Sequence, residues 1–323
     1  MYTIYFDSMP EGDWFKNLHP CLEKADLQPF PNSAALRSKH SSLQAALSFD
    51  RPDIILCDNE VPILVVERTI EVPSGHNVGQ RFARLVAAAR EKIPVVYFGP
   101  YAAYKHGGKT QGPRYMNLRL FYALEKMGNV YDTPISIINW IVDQDYEIIR
   151  DSRKDSRMVD YLDLFFKQYR PNNIAHLRKE ILCSQFEKEQ QSERKTFIKK
   201  EVKKPEQYDD PPSSVVILPG SALTARYPTL SNIYLPKLES VVYDVGMTYV
   251  RSDPYTGMGL LYTYLYCGSL ESKTKNLVLS FPNISIDMWK KVSSNNRRKD
   301  VRLYKMVSDA IIFSDGAMER GKL

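Results

Sequence analysis

The sequence contains no apolar run approaching the ~18 residues that a membrane-spanning helix needs, which argues against an integral membrane protein. Its first stretch, MYTIYFDSMPEGDWFK, has neither a basic n-region nor a long apolar segment, so we expect no secretory signal there. The four cysteines form no CxxC pair, and the usual indication of a zinc site is therefore missing. Scattered cysteines fit a reducing compartment, and we expect a cytoplasmic protein.

Charge of one sign is not in large excess either. The chain has 323 residues, with 44 Lys and Arg against 38 Asp and Glu, which gives a formal net charge of +6. This mild bias permits an anionic partner such as nucleic acid without requiring one. The hydrophobic content of 43% is ordinary for a soluble globular protein. The length predicts two domains.

Hydrophobic patterning between residues 33 and 100 predicts the order helix, strand, hairpin, strand, helix, strand. The segments DIILCD and ILVVERTIE are short β-branched or apolar runs separated by an Asp-Asn turn signal. Residues 78–92 carry a clear helical stripe of apolar residues, and IPVVYFGPY follows as a buried strand. A helix that crosses back to a buried strand favours an α/β sheet with mixed pairing, flanked by helices.

The remaining chain divides by composition. We expect residues 134–182 to be largely helical, and residues 187–212 are dense in charge and low in apolar content. The segments SVVILPG, SVVYDVGMTYV, NLVLSFP and AIIF are predicted strands, with helices between them. The predicted domains are 1–185 with a helical extension, a charged linker or exposed helix at 186–213, and an α+β region at 214–323 that recognises DNA or dimerises.

Two acids, Asp53 and Glu67, lie in the two segments that form the predicted hairpin. If the turn centres near Asn59 and Glu60, Asp53 lies opposite Val66 or Glu67, and cross-strand neighbours are roughly 5 Å apart. Facing carboxylates repel unless a cation lies between them. A hard divalent cation such as Mg²⁺ suits such a pair, and it could polarise a phosphodiester and activate a water molecule.

This stretch resembles the PD-(D/E)XK nuclease superfamily, which includes most type II restriction endonucleases. The match consists of Pro52-Asp53, a hairpin, then Glu67-Arg68-Thr69, a helix and a buried strand, and it covers roughly residues 35–100. In that family the two acids bind Mg²⁺, and the lysine assists the attacking water. The resemblance implies a restriction-endonuclease-like fold, with Asp53 and Glu67 as catalytic residues and metal ligands.

The sequence departs from the family at the motif lysine, where Thr69 stands. Thr69 shares a strand face with Glu67 and could still touch a water molecule. Family members are known to move the missing cation onto the next helix. Here Arg81 is the catalytic candidate on that helix, with Gln80 and Arg84 as contacts for substrate phosphate. Arginine cannot act as a general base, so it would position or stabilise.

Other polar residues are candidates for DNA contact or a second metal. The loop YKHGGKTQGPR combines basic residues with three glycines, which suits phosphate contact, although it lacks the Walker A spacing. For each candidate the alternative is an ordinary surface residue. The DNA-contact candidates beyond the hairpin and its helix are His76, Lys105, Lys109, Arg114, Arg251, Arg297 and Arg298, and Glu71 is a candidate ligand of a second metal.

These expectations combine into a Mg²⁺-dependent DNA endonuclease, in which Mn²⁺ could substitute, of the type II restriction kind. It would cleave a specific site in double-stranded DNA, and a homodimer would suit a palindromic site. Two alternatives stay open. The chain could bind nucleic acid on a degenerate nuclease fold without catalysis. It could also be an α/β protein in which Asp53 begins a strand and Glu67 pairs with Arg81 or Arg84 for structural reasons.

Overall fold

The computed structural model describes residues 1–69, 72, 77–104, 112–149, 151, 153–208, 214–245, 258–270, 273–294 and 299–323. The chain divides into two compact units. The N-terminal unit comprises Met1–Ser74 and Arg84–Lys203, and the C-terminal unit comprises Gly75–Ala83 and Lys204–Leu323. Both contain a mixed sheet with helices, which confirms the α/β class at the coarse level. Within the described residues, no helix is both long and apolar enough to cross a membrane.

The N-terminal unit is built on a six-stranded mixed sheet with the order β2-β1-β3-β4-β5-β8. Strand β3 pairs antiparallel with both β1 and β4, whereas β5 is parallel to β4 and β8 is parallel to β5. A two-stranded antiparallel pair, β6-β7, accompanies it. The strands are β1 Tyr2–Phe6, β2 Asp26–Pro29, β3 Ile54–Asp58, β4 Val61–Arg68, β5 Val95–Gly99, β6 Ala102–Ala103, β7 Arg114–Tyr115 and β8 Ile135–Asn139.

Eight α-helices precede residue 204 among the described residues. They are α1 Met9–Lys16, α2 Ser33–Leu36, α3 Ser41–Ala46, α4 Asn77–Arg90, α5 Leu118–Tyr131, α6 Ser156–Gln168, α7 Ile174–Cys183 and α8 Gln185–Glu201. Helix α4 confirms the helix predicted at 78–92, and its expected apolar residues Phe82, Leu85, Val86 and Ala89 are buried. Strand β5 likewise confirms the strand predicted from IPVVYFGPY.

The hairpin β3-β4 forms with the expected turn. Asn59 and Glu60 both have positive φ, at 45° and 69°, as a two-residue type I′ connection requires. Ile54 pairs with Val66 and Leu56 with Leu64, and a bulge follows at Leu56/Cys57. Continuing the Ile54 pairing by one residue places Asp53 opposite Glu67, so the register agrees with the sequence expectation.

The two faces of this sheet have different roles. Leu56, Val66 and Phe98 belong to the main apolar core, together with residues of α1, α6 and α7. Because strand residues alternate between faces, Glu67 lies on the opposite face from Val66. Arg68 lies on the core side, and its guanidinium carbon is 4.3 Å from the Trp14 ring centroid and 4.8 Å from that of Trp140.

The sequence expectation for residues 134–182 is wrong in part. Ile135–Asn139 is a strand, β8, whose Ile137 and Ile138 are buried beside β5. The isoleucine-rich run SIIN favours an extended chain, whereas the helices of this region begin only at Ser156. Most of the segment expected as a linker or exposed helix, residues 186–213, forms α8, which packs against α7 and β8.

The C-terminal unit has a five-stranded sheet with the order β13-β12-β11-β10-β9. Its three central strands are parallel and the edge strands are antiparallel. Helices lie between the parallel strands in sequence, so the unit alternates as an α/β arrangement rather than the expected α+β. Its elements are β9 Val215–Pro219, α9 Gly220–Arg226, β10 Glu239–Asp244, α10 Met258–Tyr266, β11 Asn276–Phe281, α11 Ile286–Ser293, α12 Lys299–Val307, β12 Ala310–Phe313 and β13 Gly316–Glu319.

Candidate functional site

Asp53 is held at the open end of the hairpin by backbone contacts. Its carbonyl oxygen accepts a hydrogen bond from the Asp7 N–H at 3.0 Å, which ties the start of β3 to the end of β1. Its side-chain Oδ2 accepts from the backbone N–H of Arg68 at 2.6 Å. The carboxylate therefore lies beside the end of β4, where Glu67 is located. Its other oxygen, Oδ1, is on the side of Arg84.

Arg84 on α4 joins the two acids. Its Nη1 is 3.3 Å from both carboxylate oxygens of Glu67 and 3.9 Å from Oδ1 of Asp53. Its Nη2 is 3.2 Å from Oδ2 of a third acid, Asp50. We call Asp50, Asp53, Glu67 and Arg84 the acid cluster. All four residues belong to the N-terminal unit.

Asp50 was not identified from the sequence. It lies three residues before Asp53, in the segment FDRPD, which the pattern assigns only to the break between a helix and a strand. Its side chain is 8% exposed, which is unusual for an aspartate in a connecting segment. The sequence does show Asp50 as a second acid close to the Pro52-Asp53 pair. Spacing alone, however, does not show that the carboxylates of Asp50 and Asp53 face the same arginine.

The acid cluster is largely shielded from solvent. Glu67 is fully buried, and the side chains of Asp53 and Arg84 are 14% and 15% exposed. Burial by itself lowers the pKa of the Arg84 guanidinium, but the neighbouring Glu67, Asp50 and Asp53 carboxylates outweigh it, and the pKa is raised overall. Arg84 is therefore a permanent cation, which orients the carboxylates but cannot remove a proton from water.

Thr69 occupies the position of the motif lysine and is buried, with 4% exposure. Its backbone N–H donates to the Phe98 carbonyl at 2.9 Å, so β4 and β5 stay paired past Arg68. Its methyl group lies over Gly99, where an added Cβ would overlap Thr69 Cγ2. The side chain at this position is thus uncharged and packed, and Arg84 on the next helix is a cation that meets the two motif acids.

The donor chemistry of Asp53 and Glu67 suits a hard divalent cation, which takes carboxylate oxygens. Both carboxylates already converge on one positive group, because Arg84 Nη1 is in contact range of each. In the part of the chain that the structure describes, no group of three or more His, Cys, Asp or Glu side chains is arranged to hold a metal. Because Arg84 Nη1 already contacts both carboxylates, a metal ion bound by these two acids would have to displace it.

The other sequence candidates fall in several places. Arg81 lies on α4 and is partly buried, and Arg114 lies on β7, where it pairs with Ala103. Gln80 is described only as part of helix α4. Seven further candidates lie outside the described residues: Glu71, His76, Lys105, Lys109, Arg251, Arg297 and Arg298.

Comparison with known proteins adds no family for this chain. No protein-family model, no curated protein and no solved structure matches it.

Proposed function

We propose that the N-terminal unit is a nuclease of the PD-(D/E)XK type that hydrolyses phosphodiester bonds of DNA with the help of a divalent cation. The observation that carries the proposal is the convergence of Asp53 and Glu67 on the same positive group, Arg84 Nη1. Two carboxylates that meet at the open end of one hairpin supply the oxygen ligands that a hard metal ion prefers. The resemblance noted in the sequence assigns these same two residues to the metal.

The order of elements supports the same proposal. An antiparallel β1-β3-β4 set leads into helix α4 and then into β5, which is parallel to β4. This order of hairpin, helix and buried strand is compatible with the one that the resemblance implies, and it supports the proposal to that extent. Thr69 departs from the family pattern, which has a lysine at this position. Arg84, on the helix that follows, contacts the acids in place of that lysine.

Asp53 and Glu67 would hold Mg²⁺, with Mn²⁺ able to substitute. When bound, the ion would polarise the scissile phosphate and lower the pKa of an attacking water. Arg84 would orient the Glu67 carboxylate and, once displaced from it, place a positive charge beside the substrate phosphate. Asp50, 3.2 Å from Arg84 Nη2, would fix the guanidinium during this exchange.

A restriction role on double-stranded DNA, with a homodimer that acts on a specific site, stays part of the proposal by analogy alone. It is supported by the existence of a second unit beyond a minimal nuclease core. A DNA methyltransferase gene beside the gene for this protein would favour it strongly over a repair role.

A second candidate function is nucleic-acid binding without catalysis. The observation that favours it is the burial of Glu67, which is fully covered while its carboxylate pairs with Arg84. A permanent cation in that place stabilises the acids without a metal. This candidate predicts salt-sensitive retention of DNA but no cleavage at any metal concentration.

Cleavage of a mixed-sequence plasmid separates the two functions. The full chain is incubated with Mg²⁺, Mn²⁺ or EDTA, and the variants Glu67→Gln and Asp53→Asn are compared with Glu60→Gln. Glu60 lies at the exposed turn of the same hairpin and serves as the matched control. The nuclease proposal expects metal-dependent nicking or linearisation by wild type and Glu60→Gln, and loss of at least about a hundredfold in the other two. Equal cleavage by wild type and Glu67→Gln would overturn this site, and retention without cleavage would favour the second candidate.

A further inference from the structure

Tyr104, Tyr115 and Tyr146 lie together on the surface of the N-terminal unit and share no residue with the acid cluster. Tyr104 is 37% exposed, Tyr115 is 40% exposed, and Tyr146 is partly buried. Tyr115 lies opposite Ala102 in the β6-β7 pair, and Tyr104 follows two residues after Ala102. Because side chains alternate along a strand, Tyr104 and Tyr115 are on the same side of this pair. We call Tyr104, Tyr115, Tyr146 and Glu201 the tyrosine site.

The Tyr146 ring stands at right angles to each of the other two. Its centroid is 6.4 Å from that of Tyr104, at an interplanar angle of 84°, and 6.4 Å from that of Tyr115, at 83°. Two perpendicular rings that face a common point about 4.5 Å from each have centroids about 6.4 Å apart, and that distance is within the ~6 Å over which an aromatic face attracts a cation. The separations and angles of the rings therefore fit the walls of an aromatic cage.

Packing holds the Tyr115 ring in place. Its centroid is 6.2 Å from that of Phe197 on α8. The Phe197 ring in turn contacts the rings of Tyr101 and Phe121, at 5.5 and 6.4 Å between centroids, and both of these residues are buried. The Tyr115 ring thus ends a chain of aromatic contacts that reaches the core. A wall fixed in this way loses little conformational entropy when a ligand binds.

Tyr146 has an unfavourable backbone conformation. Its φ of 60° lies in the left-handed region, which bulky residues seldom adopt and where glycine or asparagine is usual. The Tyr146 N–H donates to the Asp143 carbonyl at 3.2 Å, and the Asp143 N–H donates to the Glu147 carbonyl at 2.8 Å, which closes a turn. A glycine would form this turn without strain, so the turn alone does not explain the tyrosine.

A carboxylate lies beside the phenol groups. Tyr146 OH donates to Glu201 Oε1 at 3.5 Å. Burial and the nearby Glu201 carboxylate raise the pKa of Tyr115 to about 12, so this phenol is neutral at neutral pH. Lys200 Nζ also pairs with Glu201 Oε1 at 3.1 Å, but the Lys200 side chain is 75% exposed, and solvent screens this pair.

We propose that the tyrosine site binds a methylated ammonium group, of the kind found in choline and in trimethylated lysine side chains. The ring faces attract such a cation, and its methyl groups contact them without the hydrogen bonds that a plain ammonium would lose on leaving water. The turn that carries Tyr146 adds the exposed acids Asp143, Asp145 and Glu147, which complement a positive charge. Nucleic acid would instead bring phosphate groups to an acidic surface.

Methyl-proton NMR titration of the full chain in EDTA tests the site. The probes are choline and its neutral analogue dimethylbutanol, in which carbon replaces the ammonium nitrogen. We expect choline to bind with a Kd in about the millimolar range and the neutral alcohol to bind at least about tenfold more weakly. A trimethyl-lysine peptide and the same peptide with unmodified lysine form the second pair, with the same expected difference. Tighter binding of the methylated peptide than of choline would identify a protein side chain as the ligand, and the reverse would identify a small molecule.

Two substitutions of Tyr115 separate the aromatic face from the rest of the side chain. Tyr115→Phe keeps the ring and is expected to bind choline within about threefold of wild type, whereas Tyr115→Leu keeps an apolar side chain and is expected to lose at least about fivefold. Tyr234→Leu, at an 80% exposed position in the C-terminal unit, is the matched control and is expected to bind as wild type. If Tyr115→Leu disturbs the fold, Tyr146→Asn repeats the test, because asparagine tolerates a positive φ.

Several results would overturn the proposal: no choline binding up to roughly 50 mM, equal binding of the neutral alcohol, or unchanged binding when the ring is removed. An oligothymidylate that binds wild type but not Tyr115→Leu would also overturn it, because the surface would then take nucleobases. All of these measurements are made without divalent metal, so they do not depend on the proposed nuclease activity.

Discussion

Arg84 Nη1 lies 3.3 Å from both carboxylate oxygens of Glu67, and Glu67 has no exposed surface. This contact connects the end of strand β4 with helix α4 and sets the charge of the candidate site. The Glu67 carboxylate thus pairs with a permanent cation, Arg84, and also belongs to the candidate metal site. The effects of removing Arg84 and of removing the metal can each be measured.

Replacing Arg84 with Met is expected to lower the free energy of unfolding by ~3 kcal/mol in EDTA, because it removes a cation that pairs with three buried or nearly buried carboxylates. Mg²⁺ in the millimolar range is expected to restore part of this loss, since a divalent cation can then bind both acids. Urea denaturation with and without Mg²⁺ measures both effects. Arg90→Met, at the exposed end of the same helix, is the control and is expected to change stability by less than about 1 kcal/mol, the upper range for an exposed pair. A Mg²⁺ response no larger than that of the control variant would count against a metal at these acids.

Asp50→Asn separates the third acid from the two motif acids. Asp50 contacts Arg84 through Nη2, so the substitution weakens this charge-assisted contact and keeps the shape of the side chain. We expect a loss of roughly 1–2 kcal/mol of stability. Plasmid cleavage should fall less than in Asp53→Asn. A larger loss of cleavage in Asp50→Asn would instead identify Asp50 as a ligand of the metal.

Gly99→Ala tests the packing at the lysine position. The new Cβ would overlap the Thr69 methyl group, and overpacking of this kind costs roughly 1–3 kcal/mol. In a Thr69→Ser background the methyl group is gone, so the same substitution should cost less, although the Thr69 carbonyl oxygen stays 3.2 Å from the added carbon. A double-mutant cycle by urea denaturation measures the difference. Equal costs in both backgrounds would show that Thr69 does not pack as described.

Glu187 predicts a pH dependence of stability. Burial raises the pKa of its carboxyl from 4.5 to about 7, and the facing Arg194 lowers it only partly. The folded protein therefore binds a proton that the unfolded chain releases between these two values, so this group makes stability fall as pH rises from about 4.5 to 7. Glu187→Gln removes the titrating group, and the variant should gain roughly 1–3 kcal/mol relative to wild type between pH 5 and pH 8.

The check is a pair of urea denaturation series for wild type and Glu187→Gln across this pH range. Glu189→Gln is the control, because Glu189 is exposed on the same helix. If the difference between wild type and Glu187→Gln stays constant with pH, the Glu187 carboxyl titrates in the folded state as it does in the unfolded chain.

The hairpin was predictable because its signals are local. Alternating apolar segments and one turn fix the register of β3 and β4, and with it the pairing position of Asp53 and Glu67. Helix α4 was predictable for the same reason, since its apolar stripe repeats with the helical period. The position of Arg84 on that helix was also visible, and its pairing with Glu67 was one of the alternatives that the sequence left open, but its contacts with Asp50 and Asp53 were not predicted.

Features that depend on distant contacts were not predictable. Ile135–Asn139 has a local preference for extended chain, but its place beside β5 as a parallel strand depends on a distant segment. Glu187 and Arg194 lie in a segment so rich in charge that its composition indicates solvent exposure, although both are buried. Their burial depends on the preceding helix α7 and on α5 and β8, which are distant in sequence.

That Asp53 and Glu67 together hold a divalent cation is tested most directly by electron paramagnetic resonance of Mn²⁺ titrated into the full chain. The free-ion signal is expected to be quenched by about one Mn²⁺ per chain in wild type and in Glu60→Gln, and to stay unquenched in Asp53→Asn and Glu67→Gln. Arg84→Met is expected to bind Mn²⁺ more tightly than wild type, because the competing guanidinium is absent. Equal quenching by wild type and the two acid variants, or none in any of them, would contradict a metal site at this hairpin.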